Sequence, residues 1–314
     1  MSVLNTDVRL EGVLYSAKDV VKLHLRSLSG KALPSWEPGS HIDIELARGV
    51  VRQYSLLPHA YGAGSYLVAV KKSSLSRGGS TRVHETLRVG DHLKIGNPKN
   101  LFALHDGGAH SVFIAGGIGI TPIYSMAQHQ ASRQGSWELH YAARSAGCAA
   151  LADEVQALPG SVNFYYSDEG CRLALDRLVR SAPHHSHFYC CGPQAMLDDF
   201  RVATAHVAPE RVHVEHFSAE QEAATAGGFE VHLQRSGRTL QVAPGESILD
   251  AVLAAGIDCN YACMQGTCGS CEVQVLEGVP DHRDSVLSPA QKASGKTMLI
   301  CCSGSVSKSL SLNI

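Results

Sequence analysis

The chain has 314 residues, 44% of them apolar and 18% charged, with a formal net charge of −2. That is long enough for two or three domains with proper cores, and the balance is ordinary for a globular protein, which excludes a disordered or collagen-like chain. No apolar stretch reaches the length of a membrane span, and MSVLNTDVRLEG has neither a signal core nor a basic amphipathic transit pattern, so the expectation is a cytoplasmic chain that stays out of membranes. In that compartment the ten cysteines are better read as thiol ligands than as disulfides.

Charge is unevenly spread. Residues 1–102 hold 14 Lys and Arg against 8 Asp and Glu, residues 103–225 hold 7 against 13, and residues 226–314 hold 6 against 8. A basic first third attracts an anionic nucleotide and can dock on an acidic neighbour, although dispersed positive charge is more often a solvated face. No stripe of basic and aromatic residues points to nucleic acid.

The first hundred residues alternate apolar and polar positions in short runs (VRLEGVLYSA, KLHLRSL, HIDIELA, YLVAV, HLKIG). Turns such as Pro38-Gly39, Gly62-Ala63-Gly64 and Gly90-Asp91 separate them, the pattern of an antiparallel barrel or sandwich. One strand carries Arg52-Gln53-Tyr54-Ser55-Leu56, and Ser76-Arg77-Gly78-Gly79-Ser80 precedes a helical stretch. Arg52 can pair a phosphate bidentately, Tyr54 offers a flat face with a polar tip, and Ser55 can hydrogen-bond a ring nitrogen. Gly78 and Gly79 let backbone donors meet a phosphate, with Ser80 capping the helix. Taken singly, these are also unremarkable strand and turn residues.

The middle third changes character. Apolar runs SVFIAG, WELHYAA, VNFYYS and HFYCCG alternate with helical stretches, the signature of a parallel sheet with crossover helices. The first run feeds Gly116-Gly117-Ile118-Gly119-Ile120-Thr121-Pro122, where Thr121 is the expected N-cap and Pro122 the first helical residue. A glycine turn opening a helix is a ready anion site, yet the full G-x-G-x-x-G fingerprint is absent, and a plain strand-to-helix connection stays open. Cys191-Gly192-Pro193 places a small residue and open backbone at another strand end, where sheet ligands bind. After VNFYYS comes Asp168-Glu169-Gly170, whose carboxylates can bond ribose hydroxyls and repel a 2′-phosphate, favouring NADH over NADPH, while Arg144 can touch a phosphate.

A small-residue stretch from Ala219 to Gly228 reads as a linker. Beyond it a hairpin (FEVHLQ, turn 235–238, TLQVA) leads to a short helix with Ser247 as N-cap and Gly256 as stop, then to the strand CEVQVLEG. Cys263, Cys268 and Cys271 follow C-x4-C-x2-C, and Cys301 comes after 29 further residues, behind Met298-Leu299-Ile300. That is the plant-type [2Fe–2S] pattern. Structural zinc sites usually pair C-x2-C with a second short pair, and here the fourth cysteine stands alone. Cys259 is the one rival ligand, Cys302 is expected on the opposite face of its strand, and Cys148, Cys171 and Cys190 read as ordinary thiols.

A nicotinamide gives up two electrons together, whereas a [2Fe–2S] cluster accepts one, so the chain wants a flavin between them. RQYSL (52–56), GGIGITP (116–122), CGP (191–193) and Val214-Glu215-His216-Phe217 resemble the ferredoxin–NADP reductase superfamily. With CMQGTCGSC, DHRDSVLS (281–288) and MLICCS (298–303), the whole chain resembles the phthalate dioxygenase reductase family, reductases of Rieske-type aromatic oxygenases and demethylases. The resemblance implies a multidomain fold: an antiparallel β-barrel flavin domain over 1–102, an α/β parallel-sheet nicotinamide domain over 103–222, and an α+β, β-grasp-like ferredoxin domain over 226–314.

By the same resemblance FMN is held by Arg52, Gln53, Tyr54, Ser55, Leu56, Val70, Lys71, Gly78, Gly79 and Ser80. NADH is bordered by Gly116, Gly117, Ile118, Gly119, Thr121, Pro122, Arg144, Asp168, Cys191, Gly192 and Pro193. Ser55, Cys191, Glu215 and Phe217 stand at the reacting centre, with Phe217 shielding the flavin. The cluster ligands are Cys263, Cys268, Cys271 and Cys301. The implied function is hydride transfer from NADH to FMN, then single-electron transfer through the cluster to a Rieske-type oxygenase, by a monomer that binds neither nucleic acid nor membrane. A stand-alone flavin reductase or diaphorase, and a non-enzymatic iron–sulfur redox sensor, are the rival readings.

Overall fold

Alternation of apolar and polar side chains closes the first six strands into a barrel. A computed structural model describes the chain apart from residues 1–3, 48–49, 74–77, 106, 218–222 and 262. β1 (Leu4–Ala17), β2 (Val20–Ser27), β3 (His41–Ala47), β4 (Val50–Leu57), β5 (Ser65–Lys71) and β6 (His92–Gly96) run in the order β1-β2-β5-β4-β3-β6, and β6 pairs back onto β1. Every pairing is antiparallel. Inward-facing Val8, Leu10, Leu23, Leu25, Ile42, Ile44, Leu56, Val68 and Ile95 fill the interior with Val83 of α1 (Gly79–Glu85). Each such side chain contributes about 1.5–3 kcal/mol on burial.

The next elements are β7 (Ser111–Gly116), α2 (Ile120–Ser132), β8 (Trp137–Ala143), α3 (Ala152–Gln156), β9 (Ser161–Tyr166), α4 (Leu175–Ser181), β10 (His187–Cys191), α5 (Gln194–Ala203) and β11 (Val212–Glu215). The five strands form an all-parallel sheet ordered β11-β10-β7-β8-β9. Its first strand is central and the chain reverses direction of travel between β7 and β10, which makes their carboxyl ends the switch point where such sheets bind ligands. Barrel residues Ala17, Val20, Leu57, Leu67 and Ala69 share one core with Phe102, Ile123, Met126 and Tyr189, so residues 4–215 form one compact unit.

A second unit comprises His216–Ile314. β12 (Phe229–Leu233) and β13 (Arg238–Val242) form the expected hairpin, followed by α6 (Ile248–Ala254), β14 (Glu272–Glu277), β15 (Pro280–Asp281), α7 (Pro289–Ser294), β16 (Thr297–Leu299), β17 (Gly304–Ser305) and β18 (Ser309–Leu312). The mixed sheet is ordered β13-β12-β18-β14-β16, with β15 and β17 as a separate pair. Ser247 caps α6 through a capping box with Asp250, and Gly256 follows the helix at φ +72°.

Part of the expected linker, 219–222, lies outside the described residues. The rest is tied down: Ala224 donates its N–H to the Cys302 carbonyl, Gly245 to Thr225, and Gly228 to Val242.

Three local expectations are corrected. Gly78, in the left-handed region, occupies the N-cap of α1, and Ser80 sits within the helix, where its hydroxyl accepts from the Ser73 N–H. α2 begins at Ile120, because a 3-10 turn over Gly117–Gly119 leads straight into it; Thr121 and Pro122 are therefore already inside the helix. Cys302 lies in the turn after β16 and is buried, as is Cys301, so strand alternation does not apply there.

Candidate functional site

On β4 the side chains of Arg52, Gln53 and Tyr54 are half-buried, and Ser55 and Leu56 are buried. Burial raises the Tyr54 phenol well above its usual range, so it stays a neutral face. An ideal Cβ on Gly79 would stand 2.9 Å from Arg52 Cγ and 3.0 Å from its Nε, so the lack of a side chain at 79 leaves room for the guanidinium stem beside the helix start. Gln53 donates to Asp43 Oδ1 at 3.0 Å, across β3. Val70 is buried and Lys71 is exposed at the end of β5, where Lys71 Nζ comes 3.9 Å from the position a Cβ on Gly117 would take. Thus the barrel places a cationic, partly apolar shelf beside the glycine turn of the sheet.

That turn is built for backbone approach. A Cβ on Gly119 would meet the Cys191 carbonyl oxygen at 2.2 Å, and one on Gly116 would meet Pro193 Cδ at 2.5 Å. The two strand-end turns, 116–119 and 191–193, therefore close on one another through hydrogen atoms alone, at the switch point. Gly117 has φ +55°, and its carbonyl accepts from the Tyr141 hydroxyl at 3.0 Å. Tyr141, fully buried, also donates to Ala150 at 3.2 Å and so pins the turn. Sequence reasoning misses this residue; a polar-tipped ring inside the apolar run WELHYAA is the available signal. Thr121 Oγ1 donates to the Ile118 carbonyl at 3.0 Å. Arg144 and Asp168, both exposed, follow the ends of β8 and β9 and are joined by an Asp168 N–H to Arg144 carbonyl bond of 3.0 Å.

Cys191 is fully buried, and burial, with Glu215 and Cys190 adding to it, pushes its thiol far up, so it is an inert neutral surface. Its strand partner is Glu215. Burial pushes the Glu215 carboxyl up to about 8, and its Oε2 is buried without a hydrogen-bond partner. A carboxyl held above its ordinary range with one oxygen under-bonded is a candidate proton donor or acceptor. Phe217 is 39% exposed and belongs to the second unit.

In the second unit Cys263, Cys268, Cys271 and Cys301 are all buried, between 2% and 8% exposed. Hydrogen bonds from the Cys268 and Cys301 thiols hold Cys263 far below the ordinary thiol range and push those two up, and Cys301 also reaches Cys271. The Gln265 and Ser270 N–H groups point at Cys263 Sγ and Cys268 Sγ, at 3.3 and 3.5 Å. Among the described residues no three Cys, His, Asp or Glu side chains are arranged around a single ion. A binuclear cluster divides its four thiolates between two irons, and this donor set of four clustered sulfurs with backbone donors fits it. Gly266, at φ +72°, is obligatory, because a Cβ there would stand 2.5 Å from Cys302 Sγ.

Comparison with known proteins follows the same division. Residues 231–304 match the 2Fe-2S iron-sulfur cluster binding domain, and residues 113–201 match the oxidoreductase NAD-binding domain. The chain is 47% identical over 308 residues to phenoxybenzoate dioxygenase subunit beta of Ectopseudomonas oleovorans, covering 98% of this chain and 97% of that one. It is 45% identical over 316 residues to tetrachlorobenzoquinone reductase of Sphingobium chlorophenolicum, covering 98% of each. Among solved structures, phthalate dioxygenase reductase, described as modular for electron transfer from pyridine nucleotides to [2Fe–2S], aligns with a TM-score of 0.79 at 31% identity, covering 98% and 97%. An intact type IV self-sufficient cytochrome P450 monooxygenase aligns with a TM-score of 0.82 at 40% identity, and there the chain spans 41% of the larger protein's length. The chain belongs to the phthalate dioxygenase reductase family, oxidoreductases that join an NAD-binding domain to a 2Fe-2S cluster binding domain.

Proposed function

We propose that this chain is the NADH-dependent reductase of a multicomponent aromatic oxygenase or demethylase, feeding single electrons to a Rieske-type partner. The observation that carries the reading is the convergence of buried Cys301, from the turn after β16, on the three buried thiols of the glycine-bearing 263–271 loop, in a chain that also closes two glycine turns at a sheet switch point. A bound flavin supplies the exchange between a two-electron donor and a one-electron acceptor.

The chain's own residues bind and orient. In this reading Arg52 neutralises the flavin phosphate beside Gly78, Gly79 and Ser80, while Gln53, Tyr54, Ser55, Leu56, Val70 and Lys71 line the flavin. Ser55 offers its hydroxyl to a ring nitrogen. Gly116–Gly119, Thr121, Pro122 and Cys191–Pro193 admit the nicotinamide nucleotide, with Arg144 at a phosphate and Asp168 at a ribose hydroxyl. Glu215 holds a proton near neutral pH, and Phe217 covers the flavin face until nicotinamide arrives. Cys263, Cys268, Cys271 and Cys301 hold the cluster. The flavin is FMN, the three domains span 1–102, 103–222 and 226–314 with the last β-grasp-like, and the working form is a monomer in the cytoplasm, where NADH is made. No helix among the described residues is long and apolar enough to cross a membrane.

Direct reduction of a quinone is a second reading, favoured by the likeness to a relative named for that activity. An anaerobic visible spectrum decides the class: flavin and iron–sulfur bands that bleach together on adding NADH are expected, and a colourless but active protein would end the proposal. Mass measurement of the extracted flavin then separates FMN from FAD. NADH consumption with a quinone alone, against a Rieske oxygenase, separates the two readings.

A further inference from the structure

The segment 282–287 contains a buried charge cluster that the ligand assignment does not use. Asp284 has a side chain wholly out of solvent. Its Oδ2 accepts from the N–H groups of Val286 at 3.1 Å and Leu287 at 2.7 Å, and Lys292 Nζ, 3.8 Å from that oxygen, donates to the Asp284 backbone carbonyl. The other oxygen, Oδ1, is buried without a hydrogen-bond partner, as are both ring nitrogens of His282, whose Nδ1 stands 3.7 Å away. At that distance no hydrogen bond exists. Buried polar atoms left unbonded are uncommon and demand a reason.

The surroundings supply one. Ser285 donates its N–H to the Gly266 carbonyl at 2.9 Å, Arg283 donates its N–H to Ser303 Oγ at 3.2 Å, and a Cβ on Gly269 would lie 3.5 Å from Val286 Cγ1. Asp284 Cα itself stands 3.2 Å from the place a Cβ on Gly266 would take, with Cys302 Sγ on the same side. The segment is thus a strap laid against the 263–271 loop, and Asp284 is its anchor. Two hydrogen bonds to backbone would suffice for a turn, and an amide could accept them. A full negative charge, half of it unbonded, adds something a turn does not need.

We propose that Asp284 is a positioning residue with an electrostatic role: it fixes the strap against the cluster loop and holds the cluster's reduction potential down, with Lys292 offsetting part of its charge. The inference rests on reading Cys263, Cys268, Cys271 and Cys301 as the cluster ligands. A nearby negative charge disfavours adding an electron, and net charge around an iron–sulfur cluster is one of the levers that set its potential.

The test is a potentiometric titration of the full chain, carrying its cluster, followed by the electron paramagnetic resonance of the reduced centre. Asp284→Asn keeps the acceptor for Val286 and Leu287 and removes only the charge. It is expected to shift the one-electron equilibrium about tenfold toward the reduced form, a rise of about 59 mV. Lys292→Met, 29% exposed in the parent, is expected to shift it the other way by a smaller factor. Unshifted potentials in both variants, or shifts of the same sign, overturn the inference. An Asp284→Asn protein that assembles no cluster, beside a Lys292→Met protein shifted downward, upholds it; Lys292→Met unshifted in that case overturns it. Wild-type protein lacking any [2Fe–2S] signal overturns the functional reading itself, and this inference with it.

Discussion

A side chain on Gly119 would collide with the backbone carbonyl of Cys191, at 2.2 Å, so the two strand-end turns at the switch point touch as bare backbone. Gly119→Ala must push the turns apart. Overpacking of this kind costs about 1–3 kcal/mol, and a displacement near 1 Å at a binding turn can cost roughly 100-fold in rate. The expected outcome is a lowered Tm and a fall of about ten- to a hundredfold in kcat/KM for NADH with any acceptor. Gly147→Ala, where nothing lies within 4 Å, is the control. Equal kinetics in the two variants would remove the turn from the nucleotide site.

Cys268→Ser should separate the two halves of the electron path. Hydroxyl is a poor replacement for thiolate at iron, so the variant is expected to lose the cluster and its output to a one-electron acceptor protein. Flavin bleaching by NADH in a stopped-flow experiment should proceed as before. Full-rate reduction of the acceptor protein by this variant would show that electrons leave by another route.

Glu215 makes stability depend on pH in an unusual direction. Its folded value, pushed up to about 8 by burial, lies above the ordinary 4.5. Between those values the folded chain keeps a proton that the unfolded chain has released, so stability falls as pH rises, by up to about 1.4 kcal/mol per pH unit from this group. Glu215→Gln should flatten the denaturation midpoint over pH 5–8. Retention of the full slope in that variant would assign the effect elsewhere.

Acid weakens the same unit through its histidines. His213 is lowered to about 4 by burial, with His187 and His105 adding to it, and His187 is lowered as well. The rings of His105 and His187 stack at 4.2 Å, and Tyr189 covers His213 at 4.4 Å. A histidine kept neutral in the folded state contributes stability above pH 6.5 that is lost as pH falls toward 4. His213→Gln should lose less stability than the wild type between pH 6.5 and 4, as read from thermal melts. A steeper acid loss in the variant would contradict this account.

Features governed by near neighbours in the chain are legible in the residues alone. The three-cysteine loop, the capping box at Ser247 and the glycine turn after β7 depend on residues a few positions apart, where backbone geometry leaves few choices. Even there, α2 starts earlier than its capping signal implies, because a 3-10 turn over 117–119 carries the chain into the helix before Thr121 can cap it. Ser80 departs from its expected place for a related reason: glycine at 78 can take the left-handed N-cap that serine would otherwise fill.

The sequence by itself determined the types of element, the cluster loop and the order in which the chemistry is laid along the chain, since hydrophobic period and cysteine spacing are local. Tertiary structure alone decided that Leu57 and Phe102 share a core with Tyr189, that Gly119 meets Cys191, and that desolvation pushes the Glu215 carboxyl up. Those facts depend on contacts between residues tens of positions apart and on how much water the packed elements exclude, which periodicity does not encode.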